Sequence, residues 1–157
     1  MGSEMCIRDR EKAYRDHGHD IDNTDCPLEA GLGFAIDWDK PGFVGRDALL
    51  KRKEAHAAAG GMTRRLVQVR LTDPEPLLFH AEPVHRDGEY VGYVRAASYG
   101  WTLGSAVGLA MVESGGEPVT ADWLTSGRWE IDIAGTRYPA EASLRPMYDP
   151  TSARVRV

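Results

Sequence analysis

RWEIDIAGTRYPAEASL, Arg128 to Leu144, is the stretch that decides how this chain folds. Trp129, Ile131 and Ile133 alternate with Arg128, Glu130 and Asp132. After Ala134-Gly135 the alternation resumes, with Tyr138, Ala140, Ala142 and Leu144 set against Arg137, Glu141 and Ser143. A strand turns successive side chains to opposite faces, so a period of two marks strands with one face inward. The glycine-bearing break between the two runs is a turn.

Working outward, Val67, Val69 and Leu71 repeat the pattern against Gln68 and Arg70, which are expected to face away from the core. Turn signals follow at Asp73-Pro74, Asp87-Gly88 and Ser114-Gly115-Gly116. Short strands with no helix between them predict an antiparallel barrel or sandwich from about Met62 onward.

Upstream of Gly60-Gly61 the reading changes. Arg46 to Ala59 is the clearest helix, with Asp47 in its first turn and four residues before Lys51. Glu11 to Gly18 (EKAYRDHG) reads as the last turns of a helix, with Gly18 in the left-handed position after its end. Asp20 to Asp25 is a polar loop. A short helix follows with Pro27 in its first turn, then a strand at Phe34 to Trp38 (FAIDW) and a turn at Pro41-Gly42. The β-module is expected to be the stable part and Glu11 to about Ala59 the loose part, with first proteolytic cuts at Gly60-Gly61.

The 157 residues fit one domain, or one domain and a piece of another, and 42% hydrophobic residues suffice for an ordinary core. The net charge of −5 arises from 19 basic and 24 acidic residues with no basic block, which argues against nucleic acid or a membrane surface as partner. No apolar run approaches the roughly 18 residues of a membrane span. Two cysteines, Cys6 and Cys26, form neither a disulfide framework nor a metal-ligand spacing, and point to a reducing, cytoplasmic compartment. Residues 1–10 (MGSEMCIRDR) show no periodicity; SEMCIRDR resembles a translated sequencing adapter, so this segment is set apart as non-native.

Three stretches, in order, resemble one family. Glu11 to Leu50 (EKAYRDHGHDIDNTDCPLEAGLGFAIDWDKPGFVGRDALL) is similar to the end of the folate-binding domain of the glycine-cleavage T-protein and of dimethylglycine and sarcosine dehydrogenases. Glu82 to Val112 and Ser126 to Pro150 resemble that family's C-terminal barrel. Arg95-Ala96-Ala97 stands where the T-protein usually has Thr-Ser-Gly; with EKAYR and the ASLRPMYDP tail, this leans toward the flavin-dependent dehydrogenases. The resemblance implies an α+β fragment. Residues 11–61 would be the helical remnant of a folate-binding domain, and residues 62–157 an antiparallel β-barrel of the aminomethyltransferase C-terminal type. It implies a parent that oxidises an N-methylglycine with FAD and passes the one-carbon unit to tetrahydrofolate. A free-standing aminomethyltransferase and a non-catalytic folate-binding accessory protein stay open beside it. Partners would be the folate and flavin domains of the same polypeptide. The family's catalytic aspartate lies upstream of Glu11, so the chain is expected to be inactive alone.

By the same resemblance Glu11 is a cofactor-binding residue, its two carboxylate oxygens meeting pterin donors, and otherwise a helix-surface residue of little weight in stability. Lys40 falls near a basic residue that faces the folate tail; the closing Arg154 and Arg156 could also reach that tail, but read rather as a frayed terminus. His17 and His19 have no third ligand at metal spacing and read as a packed turn. Cys26 has no histidine near it in sequence and reads as a small buried residue. Gly92, Gly100 and Gly104 read as bulges or tight turns, and Tyr90, Tyr93, Tyr99 and Trp101 as core and sheet pairs.

Overall fold

Alternation along Arg128 to Leu144 becomes two paired strands, β5 (Trp129–Ile133) and β6 (Thr136–Ser143). They are joined through Ala134 and Gly135, both at positive φ (52° and 87°). Two such residues give a hairpin turn whose twist matches its strands. A computed structural model describes residues 9–154. Its strands β1 (Arg64–Leu71), β2 (Pro83–Arg86), β3 (Glu89–Gly100) and β4 (Ser105–Glu113) join β5 and β6 in a closed antiparallel barrel, ordered β1-β4-β3-β2-β5-β6. The circle closes where Val69 and Leu71 of β1 face Ala142 and Ala140 of β6. Closure removes the unpaired edges that an open sheet would expose.

Val67, Val69, Leu71, Val84, Val94 and Ile131 fill the barrel. Helix α2 (Ala121–Ser126) packs Trp123 and Leu124 into the same core; its N-cap Thr120 accepts a hydrogen bond from the Trp123 N–H at 3.1 Å. The Trp123 and Trp129 rings meet edge to face at 5.5 Å, and the Trp129 indole donates to the Leu124 carbonyl at 2.7 Å. Gly92 of β3 has φ 152°, and a side chain there would run into the Met111 carbonyl, so only glycine lets β3 and β4 approach.

The outer face of β1 departs from the alternation reading. Gln68, expected to face outward, is 2% exposed. Residues 9–31 form a strap laid over the barrel wall, burying Leu66, Leu109 and Met111 against Ala13. The Gln68 amide donates to the Arg10 and Glu11 carbonyls at 2.6 and 3.1 Å, and its oxygen accepts the Met147 N–H at 2.6 Å. Arg10 is itself buried and paired with Asp20. Of the segment 1–10 set apart as non-native, residues 1–8 lie outside the described residues, whereas Arg10 is built into the fold.

Other expectations are corrected. The first helical segment, at 9–11, ends at Ala13 in the left-handed region (φ 54°); Gly18 belongs to a separate turn. Pro27 lies in a single helical-type turn, with the Ala30 N–H bonded to the Cys26 carbonyl at 2.9 Å. FAIDW is not a strand: Gly33–Ala35 forms a 3-10 turn and no strand pairs with its neighbours, since a strand persists only where its backbone groups find a partner. Helix α1 (Arg46–Ala58) forms as read, but none of its residues is buried, and its N-cap Gly45 offers no side-chain cap. The loose part is therefore 32–61, while 9–31 is clasped to the barrel. Tyr90 and Trp101 are exposed rather than core, although the Tyr99 and Trp101 rings do pair at 4.9 Å.

Trypsin should accordingly cut first at Lys51, Arg52 or Lys53 of α1, and residues 9–31 should stay bound to the barrel on gel filtration. Release of that segment with the first cut would contradict the clasp. A second expectation concerns the C-terminal strap. The Lys12 ammonium, donating to Asp149 at 2.8 Å, and the backbone N–H groups of Ala153 and Arg154 hold the Asp149 carboxyl below the usual carboxylate range. A depressed pKa contributes stability that is present above the unfolded value, about 4, and is lost as pH falls through the folded value. The protection of the Met147 N–H against hydrogen exchange should thus fall below about pH 4 in wild type, and this step should be smaller in Lys12→Ala, where only the Ala153 and Arg154 N–H groups still hold the carboxylate.

Candidate functional site

Glu11 sits at the end of the first helical segment and is 4% exposed. Its Oε1 accepts the Thr102 and Leu103 N–H groups at 2.6 and 3.1 Å, both in the turn between β3 and β4. Gly100 makes room for it: a Cβ there would lie 3.1 Å from Glu11 Oε1 and 2.9 Å from Val107. Oε2 has no hydrogen bond among the described residues. Glu11 is thus not a helix-surface residue but is buried against the β3–β4 turn, a placement that gives it a structural contact as well.

Farther along the strap, the Asp25 carboxylate, 1% exposed, accepts from Arg64 at 2.8 Å and Arg95 at 3.1 Å. Arg64 also reaches Glu29 Oε2 at 2.7 Å. The guanidinium is raised above its ordinary value because hydrogen bonds to Asp25 and Glu29 outweigh the opposing and largest single influence, burial. A buried carboxylate stays ionised only when paired in this way. Spacing could not show these pairs, since Asp25 and Arg95 meet only where the strap lies over the barrel wall.

Lys40 is exposed and lines a small cavity with Ala35, Ile36, Asp37 and Phe43, away from Glu11's partners. A larger open cavity of about 590 Å3 is lined by Leu28, Phe34, Trp38, Met62, His56 and Arg65, among others. Burial lowers the Arg65 guanidinium below its ordinary value, and Arg15 nearby adds to this. His17 and His19 are exposed rather than packed; His19 Nδ1 lies 2.7 Å from Asp16. Arg154 is exposed and bonds to Asp149 and Tyr148, and Arg156 lies outside the described residues. Cys26 is half-buried, and His56 from α1 stands beside it, within 4.8 Å.

With this geometry in place, known proteins give the family. The glycine cleavage T-protein C-terminal barrel domain matches residues 64–149. The chain belongs to that family. Across strap and barrel together, it is 44% identical to 4-methylaminobutanoate oxidase (formaldehyde-forming) of Paenarthrobacter nicotinovorans over 93% of its length. Human mitochondrial sarcosine dehydrogenase is 35% identical over 93% of the chain. The chain spans 16% of each of these two relatives. The aminomethyltransferase T of Bartonella henselae shares the fold, with a TM-score of 0.67 and 20% identity over 85% of this chain and 35% of its own. The T-protein barrel thus comes here with a strap whose acidic residues, Glu11, Asp25 and Glu29, are spent on holding it. No helix among the described residues is long and apolar enough to cross a membrane.

Removing the Glu11 carboxylate leaves two N–H groups of a part-buried turn unpaired, which costs roughly 1–3 kcal/mol. Glu11→Ala should therefore lower the urea midpoint of the chain, whereas Glu11→Gln, which keeps Oε1, should change it little. Equal midpoints for wild type and Glu11→Ala would contradict the anchoring role.

Proposed function

We propose that this chain is the C-terminal part of an FAD-dependent dehydrogenase or oxidase of N-methylated amino acids, of the N-methylglycine type, that delivers the released one-carbon unit to tetrahydrofolate. The observation that carries the reading is the 44% identity to 4-methylaminobutanoate oxidase (formaldehyde-forming), over a match that covers 93% of the chain. The likeness to sarcosine dehydrogenase points the same way.

In this reading residues 11–61 close a folate pocket whose remainder lies upstream, and residues 62–157 are the barrel that backs it. Glu11 fits a bidentate acceptor only in part. Oε1 is committed to Thr102 and Leu103, which fixes the carboxylate, and Oε2 is left to accept a pterin N–H. Lys40, exposed in its turn, would face the folate tail carboxylates. When bound, FAD supplies the two-electron oxidation and tetrahydrofolate the nitrogens that take up the carbon. This chain's own part is to orient the pterin and wall off water. The apolar cavity beside Phe34, which is 83% exposed, would meet the upstream folate domain.

Extending the reading frame upstream tests the class directly. A G-x-G-x-x-G strand–turn–helix segment several hundred residues ahead is expected; a short folate domain without it would make the parent an aminomethyltransferase instead. In the full-length enzyme, Glu11→Gln turns an acceptor into a donor at the pterin. Tetrahydrofolate affinity should fall about 5- to 150-fold, with amine-driven flavin reduction unchanged and more free formaldehyde formed. Equal folate affinity by calorimetry would remove Glu11 from the pocket.

A further inference from the structure

The 26–31 turn and helix α1 meet at a cluster whose thiol and imidazole take part in none of the strap–barrel ion pairs or pterin contacts described above. Cys26 and Glu29 are three residues apart in a helical-type turn, a spacing that puts both side chains on one side. His56, near the end of α1, brings its Nε2 to 3.5 Å from Glu29 Oε1. Thiol, carboxylate oxygen and imidazole nitrogen all lie within 4.8 Å of one another. His56 Nε2 is buried and makes no hydrogen bond among the described residues, an unsatisfied state that folded proteins seldom leave without a ligand.

We propose that Cys26, Glu29 and His56 form a binding site for one zinc-class divalent cation, which staples α1 to the strap. Ligand atoms around tetrahedral zinc lie about 3.3–3.6 Å apart, as follows from bond lengths near 2.0–2.3 Å. The histidine–carboxylate pair has that spacing already, and the thiol, within 4.8 Å of both, has to close by no more than about 1.5 Å. A thiolate with an imidazole selects zinc, cobalt or similar ions over calcium and magnesium, which take oxygen ligands. Thiolate and carboxylate together balance the ion's two positive charges.

The neighbouring arginines are compatible with this. Arg64 binds Glu29 Oε2 at 2.7 Å, which turns Oε1 toward His56, the outer-shell support that metal-bound carboxylates commonly have. Arg52, 4.0 Å from Oε1, is 65% exposed and is free to swing into solvent. Three protein ligands leave a fourth position for water, and His56 also lines the large cavity, which gives the ion an entry path. The cation would supply what α1 lacks, since the helix buries no side chain of its own.

Titrating the metal-free 157-residue chain with Co2+ tests the site. Expected are a thiolate-to-cobalt charge-transfer band saturating at one equivalent, its displacement by Zn2+, and slower tryptic cleavage at Lys51 to Lys53 with either ion. Cys6→Ser should behave as wild type. Cys26→Ser and His56→Ala should each weaken binding by more than about 100-fold, beyond the 10- to 100-fold typical of outer-shell losses. The absence of a charge-transfer band in wild type would overturn the site. So would a band that survives His56→Ala, and unchanged cleavage of α1 in the metal-bound chain would overturn the staple.

Discussion

The amide of Gln68 joins three parts of this molecule that lie far apart in sequence. Its nitrogen holds the carbonyls of Arg10 and Glu11, its oxygen holds the Met147 N–H, and its backbone is a rung of the barrel between β1 and β4. A buried primary amide is costly unless its donors and acceptor are used. Once β1 is in place, the incoming strap and the outgoing C-terminal segment are therefore drawn to it in one register. Replacing it by an apolar residue of like size would leave three backbone groups to find other partners.

Strap and barrel are then fastened by charge. Asp25 and Glu29 face Arg64 and Arg95, Asp20 faces Arg10, and Lys12 faces Asp149. Such pairs add little net stability when measured against apolar replacements, but losing one partner strands a buried charge. They act as a register device. The strap fits the wall in one position, the position that sets Glu11 against the β3–β4 turn and Cys26 against His56. Site and scaffold thus share residues: Glu11 is both an anchor and a candidate pterin acceptor, and Glu29 both an ion-pair partner and a candidate metal ligand.

Segment 32–61 is different in kind. It makes a helix by local preference, yet Phe34 and Val44 stand in solvent and the α1 side chains find no core. In the proposed function, this is the face that the upstream folate domain would cover. FAIDW illustrates the consequence. Its composition suits a strand, but a strand is a relation between neighbours, and without one the backbone closes into a 3-10 turn.

The sequence by itself determined an antiparallel β-module, barrel or sandwich, because alternation at β1, β5 and β6 and the turns at Asp87-Gly88 and Ala134-Gly135 report local geometry that every strand must obey; the family resemblance singled out the barrel, and closure itself is tertiary. It also determined α1, and, through three ordered motifs, the family. It did not determine which outer faces would be covered. Gln68 reads as a solvent residue because alternation reports only which side of a strand a residue occupies, and a strap from 58 residues away buries that side. Nor did it pair Asp25 with Arg95, or Cys26 with His56: those contacts have no period, and only the docking of the strap against the barrel wall and against α1 brings them together. Only the tertiary structure decided them, since the burial of a polar group depends on what lies over it, and here that cover comes from another part of the chain.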